Sequence, residues 1–446
     1  MTAQRSLGVW SGVGLVIANM VGAGVFLSTG FMAQSMGPGT ILLAWAVGAV
    51  LALSGARAYA EVARLVPHGG GEYRYLSTLW HSSLGYLAGW ASLLVGFSAP
   101  IALDALAAGA FAHAVVPALD PKLVATVLVV GLTGLHAVGL TVSTQVQNAL
   151  VAIKVLLLLA FVGVGVALGT LAWPSWQPAD PSGESLSGFA NSLFYIAFAF
   201  SGWNAAVYAA DDFEDAPRQV PRAMLWGCAV VAVLYLVVNF IFVANLTPAE
   251  GSVVFGYDDF TSLKGEGAHV TLGQAVMARL AGPTAGTVMS AVMVVLFVSA
   301  MSAMTMVGPR VYAAMARDGF LPSRLAGNDG EAPRGAVVLQ GVLALVVLYT
   351  HSLRSVLANV GAVLVVFAAL TVSGLFVRKL RAVDAASTPS AGSLVAAAVY
   401  VGSAVMMVYF GFRSNPSMLA WVGAVAVVGL VAWGLTSSRR RKVAAP

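Results

Sequence analysis

Charged residues are scarce in this chain of 446 residues: they make up 9%, whereas hydrophobic residues make up 59%. A water-soluble domain carries roughly 25% charged residues, so the composition excludes soluble enzymes and nucleic-acid-binding modules. Cysteine is almost absent, and Cys228, the only one, has no partner for an intrachain disulfide. Because Cys228 lies inside an apolar run, we interpret it as a small buried hydrophobe.

Long apolar runs are what the chain contains instead. They are continuous and about twenty residues long, the length of a transmembrane α-helix, unlike the short alternating strands of an outer-membrane barrel. We therefore predict an all-α polytopic membrane protein with 12 transmembrane helices. The predicted spans are residues 8–35, 39–65, 85–113, 122–140, 145–170, 187–213, 221–246, 283–313, 335–351, 354–377, 393–411 and 417–436.

No soluble domain fits between these spans. Span order divides the chain into residues 1–170 with spans 1 to 5, residues 171–377 with spans 6 to 10, and residues 378–446 with spans 11 and 12 and a basic tail. The connection after span 2, residues 67–82, is expected to form an amphipathic element on the cytoplasmic face.

The basic residues predict the orientation. With the N-terminus inside, seventeen Lys and Arg residues fall on the cytoplasmic side and five outside, and Lys154, within span 5, completes the 23. By the positive-inside rule, both termini are cytoplasmic and the protein is a multi-pass protein of the cell inner membrane. The net charge of +5 then reflects topology, so no nucleic acid is expected as a partner.

Two spans contain sequences that weaken a helix near its middle: residues 22–24 (Gly-Ala-Gly) in span 1 and residues 201–204 (Ser-Gly-Trp-Asn) in span 6. Glycine lets the backbone leave the helix and lets a ligand approach it. Spans 1 and 6 lie five apart, which is the spacing of equivalent helices in a five-plus-five inverted repeat with a midplane site. Small residues also serve close helix packing, and spacing alone does not separate the two interpretations.

Such breaks expose complementary backbone groups. A half-helix that begins near Val25 presents free N–H groups and suits a carboxylate, whereas half-helices that end near Met20 and Ser201 present free carbonyls and suit an ammonium. A zwitterionic α-amino acid needs both kinds of group, so it is the predicted small-molecule partner.

Four segments of the chain carry a resemblance to a known family. They are residues 19–26 (NMVGAGVF), 58–76 (AYAEVARLVPHGGGEYRYL), 214–224 (EDAPRQVPRAM) and 311–322 (VYAAMARDGFLP). In this order, and on these sides of the membrane, they resemble the amino acid-polyamine-organocation superfamily. The resemblance implies the five-plus-five inverted-repeat fold with two additional helices, broken helices 1 and 6, and transport of amino acids by alternating access.

The resemblance also implies positions for the substrate. Its carboxylate falls on the backbone N–H groups of Ala23 and Gly24, and its ammonium on the carbonyls of Met20, Phe198 and Ser201. Phe198 matches the aromatic gate over the occupied site, the alternative being a core aromatic. The predicted substrate-binding residues are Met20, Gly22, Ala23, Gly24, Phe198, Ser201, Gly202 and Asn204.

Lys154 lies about ten residues into span 5, roughly 15 Å deep. An intramembrane lysine costs about 2.5 to 3.5 kcal/mol to insert and should face a partner. A structural tie between helices is one interpretation. In sodium-independent members of the family that the chain resembles, a lysine here occupies the position of a coupling sodium ion, bridging the span 1 backbone and span 8 hydroxyls. Ser299 and Ser302 are the available hydroxyls, and the sequence does not choose between them.

Other ionisable residues have plainer interpretations. Asp104, after Pro100, is read as a helix-end acid reaching the outer interface, with an outer-vestibule residue as the alternative. His113 and His136 are expected to be interfacial or packing residues, since no second ligand stands at metal spacing. The acids of residues 211–215 are expected to be solvated or paired with nearby arginines. No metal and no cofactor are predicted.

The predicted pocket carries little charge, which favours neutral substrates. Asn204 occupies a position in the span 6 break where an arginine-selective relative would carry an acid, and residues 93–97 and 301–304 are mostly apolar. A charged substrate side chain would enter without a counter-charge and be penalised.

The leading hypothesis is therefore sodium-independent transport of neutral L-amino acids, either by exchange for a counter-transported amino acid or with a coupled proton. The alternative is a non-transporting amino-acid sensor or assembly subunit with the same fold. A membrane enzyme is excluded because the spans hold no nucleophile, base or metal constellation. The sequence leaves the oligomeric state open.

Overall fold

The structure is a computed structural model, and nearly all of its described residues lie in helices. It describes residues 7–138, 140–178, 181–246, 272–327, 333–350, 353–381, 388–414 and 416–443. The helices are α1 Val9–Met20, α2 Ala23–Ala33, α3 Pro38–Leu65, α4 Gly71–Leu79, α5 Ser82–Ala91, α6 Ser98–Val115, α7 Pro121–Val138, α8 Leu140–Leu168, α9 Leu186–Ala199, α10 Ala205–Tyr208, α11 Ala216–Ala244, α12 Leu272–Ala281, α13 Pro283–Arg317, α14 Arg334–Thr350, α15 Leu353–Arg381, α16 Ala391–Ser414 and α17 Pro416–Val443.

The helices have the length and composition of membrane spans. Within the described ranges, nine helical stretches are long and apolar enough to cross a bilayer, and Leu186–Ala199, Arg334–Thr350 and Val422–Thr436 are shorter apolar helices. An all-helical protein with several membrane-spanning helices is thus confirmed. The total of twelve spans and the inverted repeat stay predictions, as does the division at residues 170 and 377.

Two spans form the centre of the bundle. In the most apolar window of Val9–Ala33, which comprises α1 and α2, 94% of the residues are buried, and in that of Ser82–Val115 the share is 89%. By contrast, the share is 22% in Pro121–Val138 and in Ala391–Arg413, so those helices present most of their apolar surface outward, to the lipid. The residues of this central pair are therefore shielded from the lipid.

A π-helical segment, Ser92–Phe97, joins α5 to α6. Pro100 lacks a backbone N–H, so the carbonyl four residues before it has no regular α-helical partner. Hydroxyl groups stabilise the irregular turn: Ser98 donates to the Leu93 carbonyl at 2.7 Å and Tyr312 to the Ser92 carbonyl at 3.4 Å. These hydrogen bonds satisfy the Ser92 and Leu93 carbonyls within the irregular turn.

The segment after α3 forms an amphipathic helix, as predicted for residues 67–82, and packs one face of it against the bundle; its location on the cytoplasmic face stays a prediction. Its helix α4 buries Glu72, Tyr73 and Tyr75. Gly71 has φ 57°, and a Cβ there would lie 2.1 Å from a ring carbon of Tyr208. Glycine therefore allows α4 to pack directly on α10.

Candidate functional site

The first long apolar helix is interrupted between α1 and α2. Val21 and Gly22 have extended backbones, and Gly22 offers no side-chain cap to α2. A Cβ at Gly24 would lie 2.5 Å from the Cα of Ala199. Glycine at position 24 is therefore required by close contact with α9, the helix that ends at the second break.

The second break separates α9 from the short helix α10. Gly202 has φ 103°, a left-handed conformation that favours glycine. A Cβ at Gly202 would lie 2.9 Å from the carbonyl carbon of Asn19, in the last turn of α1. The structure thus interrupts both helices where the sequence predicts breaks and packs the two interruptions against each other.

Tyr235 of α11 lies between the ends of the two half-helices. Its hydroxyl oxygen is 2.6 Å from the Met20 carbonyl oxygen and 3.1 Å from that of Ala199. The hydroxyl has one proton and donates to one carbonyl at a time. The Met20 carbonyl, predicted to bind the substrate ammonium, therefore already has a protein donor beside it. The sequence offered only a tyrosine inside an apolar run, which usually has a buried partner.

Lys154 of α8 is fully buried against the same break. Its Nζ donates to the carbonyls of Ala18 at 3.0 Å and Val21 at 2.6 Å. These carbonyls lie at the C-terminal end of α1, where the helix dipole favours a cation. The ammonium group thus binds the span 1 backbone.

The predicted contact of Lys154 with a span 8 hydroxyl stays a prediction, and the structure shows the present surroundings of both hydroxyls. Ser302 Oγ lies 2.9 Å from Nε2 of the buried His136, and Ser299 Oγ is buried with no partner among the described residues. Ser302 therefore faces α7. His136, expected to be interfacial or packing, is a buried partner of α13.

Asp104 is not at the outer interface, which corrects the sequence interpretation. Its side chain is 2% exposed, and its Oδ1 accepts a hydrogen bond from the Ala23 N–H at 2.8 Å. Helix α6 continues for eleven residues beyond Asp104, about 16 Å at 1.5 Å per residue, so the carboxylate lies deep in the bundle. The Asp104 carboxylate thus accepts a hydrogen bond from an N–H group that is predicted to bind the substrate carboxylate.

The backbone of Phe198 is also engaged. Its carbonyl accepts a hydrogen bond from the Ser201 N–H at 2.9 Å, as part of the turn that ends α9. The Phe198 ring is 6% exposed and does not line the cavity described next, whereas Phe200 does.

A cavity opens beside the second break. Ser201, Gly202 and Asn204 line it, as do Asn19 from α1 and Met304 from α13. Among the described residues, the predicted groups at the first break and Phe198 are absent from its wall. The predicted binding residues of span 6, except Phe198, therefore line the cavity, whereas the predicted binding residues of span 1 lie outside its wall.

An acid lies in this cavity, which corrects the sequence argument that the pocket lacks a negative charge. Glu72 of α4 lines the wall and accepts hydrogen bonds from Tyr59 at 2.9 Å, Asn204 at 2.5 Å and Tyr208 at 2.6 Å. The sequence analysis missed Glu72 because an amphipathic pattern does not show which residues the packed face of α4 contacts. The glycines before Glu72, which allow a close approach, were the available signal.

The acids after α10 connect helices near Glu72. Asp212 pairs with Arg310 of α13 at 2.5 Å, and Asp211 accepts a hydrogen bond from the Gly69 N–H at 3.0 Å. Asp215 pairs with Arg218, an arginine nearby in sequence, at 3.8 Å, and Asp211 is exposed, as expected for solvated or locally paired acids. Asp212 differs, because the loop folds back onto α13 and brings it to an arginine far away in sequence.

Comparison with known proteins gives the family. The amino acid permease model matches residues 7–433. The chain is 25% identical to the large neutral amino acids transporter small subunit 2 of Rattus norvegicus over 444 residues, which are 96% of this chain and 80% of the relative. It is 27% identical to the b(0,+)-type amino acid transporter 1 of Mus musculus over 256 residues, which are 55% of this chain and 53% of the relative. The chain therefore belongs to the amino acid permease family, within the amino acid-polyamine-organocation superfamily, a group of membrane transporters and not of enzymes.

Proposed function

We propose that this chain transports L-amino acids with neutral side chains by alternating access, without sodium, as an exchanger or a proton symporter. The observation that carries the proposal is the Lys154 ammonium bound to the Ala18 and Val21 carbonyls. A cation built into the protein satisfies carbonyls that would otherwise attract a metal cation. Sodium is then unnecessary there and is repelled by the ammonium.

The substrate is proposed to bind at the two breaks. The first N–H groups of α2 lack intrahelical acceptors, so Ala23 and Gly24 suit the substrate carboxylate. The carbonyls at the ends of α1 and α9 suit the ammonium, at Met20, Phe198 and Ser201. Phe198 is proposed to cover the bound amino acid. Gly22, Gly202 and Asn204 shape the breaks in this proposal.

Two observations support a neutral side chain. The relative from Rattus norvegicus is named for large neutral amino acids. The Glu72 carboxylate, the acid in the cavity wall, already accepts hydrogen bonds from three protein donors. A charge-assisted hydrogen-bond acceptor that the protein satisfies has less to offer a cationic side chain.

The orientation belongs to the same proposal. The distribution of Lys and Arg supports cytoplasmic termini and an inner-membrane location. Residues 1–170 and 171–377 are proposed as the two halves of an inverted repeat, with the remainder as two added helices.

The test is initial uptake of a panel of radiolabelled L-amino acids into proteoliposomes in choline buffer and in sodium buffer. Preloading the vesicles with amino acid detects exchange, and an imposed pH gradient detects proton coupling. We expect equal uptake of neutral amino acids in both buffers. A sodium requirement contradicts the mechanism. Binding in detergent without uptake in any arm favours the sensor or assembly subunit.

A further inference from the structure

The buried carboxylate of Asp104 caps the first turn of α2. Its Oδ1 lies 2.8 Å from the Ala23 nitrogen. Its Oδ2 and Oδ1 lie 3.0 and 3.2 Å from the position that a Cβ at Gly22 would take. The carboxylate therefore fills the space directly in front of the helix N-terminus. No other side chain caps α2 within the described part of the chain, since Gly22 precedes it.

The opposite side of the same break has a matching arrangement. There the Lys154 ammonium binds the carbonyls that end α1. One carboxylate and one ammonium of the chain thus bind the N–H and C=O groups of a broken helix, the groups that suit a zwitterionic amino acid.

The cavity beside the second break is lined by residues of two helices that also contribute to this cap. Asn19, in the last turn of α1, lines the cavity, and so does Pro100, one helical turn before Asp104 on α6. Ser299 Oγ is buried without a partner among the described residues. The next residue, Ala300, has its Cβ 3.4 Å from the position of a Cβ at Gly22. The cavity wall and the unsatisfied hydroxyl thus belong to residues within one helical turn of Asp104 and Ala300, which contact the position of a Cβ at Gly22.

We infer that the Asp104 side chain competes with the substrate carboxylate for the Ala23 N–H group. The inference rests on the proposed function, because it assumes that an amino acid binds at the breaks. Two carboxylates at one N–H group repel each other at close range, and neither can be fully solvated there. The side chain of Asp104 must therefore leave the Ala23 N–H when an amino acid binds, and it returns when the site empties.

The experiment compares L-leucine, its carboxamide and isopentylamine as ligands of the purified full chain. The amide keeps the ammonium and side chain but lacks the negative charge, and the amine lacks the carboxyl group altogether. Asp104→Asn keeps the shape of the side chain and removes its charge. Asp120→Asn is the matched control, since exposed Asp120 also accepts a backbone N–H, from Leu123 at 2.7 Å at the start of α7, and asparagine also caps helices.

Removal of the competing charge should raise the affinity for L-leucine about tenfold, the lower end of the effect of one charge-assisted hydrogen bond. The affinity for the amide should change little, so the ratio of acid to amide affinity should rise about tenfold in Asp104→Asn. Asp120→Asn should keep the wild-type ratio. An unchanged ratio in Asp104→Asn overturns the inference, and so does a complete loss of binding in a monodisperse Asp104→Asn protein.

Wild-type protein alone also tests the inference, should Asp104→Asn not fold. A competing carboxylate limits the preference for L-leucine over its amide to below about a hundredfold, the full value of a strong charged contact. A larger preference overturns the inference, and the proposed function stands. Tight binding of isopentylamine with no binding of any amino acid identifies Asp104 as the counter-ion of an amine, and then both the inference and the proposed function fail.

Discussion

Gly24 of α2 packs directly on Ala199 of α9: a Cβ at position 24 would lie 2.5 Å from the Ala199 Cα and 2.9 Å from its Cβ. The start of one half-helix therefore touches the end of the other. Any substrate that binds the N–H groups of α2 lies beside the carbonyls of α9. These two sets of groups lie close together because Gly24 has no Cβ; the methyl group of an alanine at position 24 would separate them.

Alanine at either contact glycine should disrupt the site. Gly24→Ala pushes α2 from α9, and Gly202→Ala additionally adds strain, about 1 to 3 kcal/mol, because φ is 103°. We expect uptake to fall at least about tenfold in both variants and the melting temperature to fall further in Gly202→Ala. Gly131→Ala on α7 is the control, since nothing lies within 4 Å of its Cβ position. Equal activity of all three variants would contradict the packing argument.

Loss of the Lys154 ammonium should abolish transport while the protein remains expressed. In Lys154→Ala, the Ala18 and Val21 carbonyls lose a charged donor, worth about 1.5 to 3 kcal/mol. Initial uptake in choline and in sodium buffer is the measurement. Lys122→Ala, at an exposed position, controls for loss of positive charge. Full activity of Lys154→Ala in choline would refute this role.

The hydroxyl of Tyr235 should matter more than its ring. Tyr235→Phe keeps the ring contacts with Trp45 and Phe200 and removes the donor beside Met20 and Ala199. Because the Met20 and Ala199 carbonyls lose a buried donor, we expect the free energy of unfolding to fall by about 0.5 to 1.5 kcal/mol, measured by thermal unfolding in detergent. Tyr349→Phe removes an exposed hydroxyl contact with Thr126 and should leave the melting temperature unchanged.

Glu72 and Asn204 should be energetically coupled. Glu72→Gln replaces a charged acceptor by an amide that has a single acceptor oxygen, so it should lower stability by about 1.5 to 3 kcal/mol. In a double-mutant cycle with Asn204→Ala, the combined effect should be smaller than the sum by at least about 0.5 kcal/mol. Thermal unfolding in detergent, with purified variants, measures both values. Additive effects would show that the contact between Glu72 and Asn204 does not contribute to stability.

Phe198 is expected to act as the cover of the bound amino acid even though its ring lies outside the cavity wall. Phe198→Ala should reduce uptake strongly, because the aromatic cover is lost, and Phe198→Tyr should retain part of the activity. Phe189→Ala, on the same helix and partly buried, is the control. If Phe198→Ala transports like wild type, Phe198 is a core aromatic.

Local sequence predicts the parts of the site that depend on local backbone. Glycine at positions 22, 24 and 202 allows a break wherever the surrounding helix is otherwise apolar, so both breaks were visible in the sequence. The depth of Lys154 in span 5 was also visible, since it needs only a count of residues from the helix end. These features require no knowledge of which helices are neighbours.

The contacts that were missed join residues far apart in sequence. Asp104 lies 81 residues from Ala23, and Glu72 lies 132 residues from Asn204, so no periodicity links them. The predicted end of span 3, residue 113, lies only two residues before the observed end at Val115, so the position of Asp104 was misjudged because its buried partner, the Ala23 N–H, could not be identified from the sequence. The contacts of Ser302 depend on the rotation of α13, which its apolar surroundings do not specify.

The π-helical segment Ser92–Phe97 has a consequence for how Asp104 moves. A π turn holds one residue more than the α turn that it replaces. If that extra residue is taken up, the register of α6 changes by one position, which rotates the helix by about 100° and shifts it by about 1.5 Å. A rotation of this size would carry Asp104 off the face that meets Ala23. The π turn before Pro100 is thus the position at which a change of register would separate the carboxylate from the Ala23 N–H group.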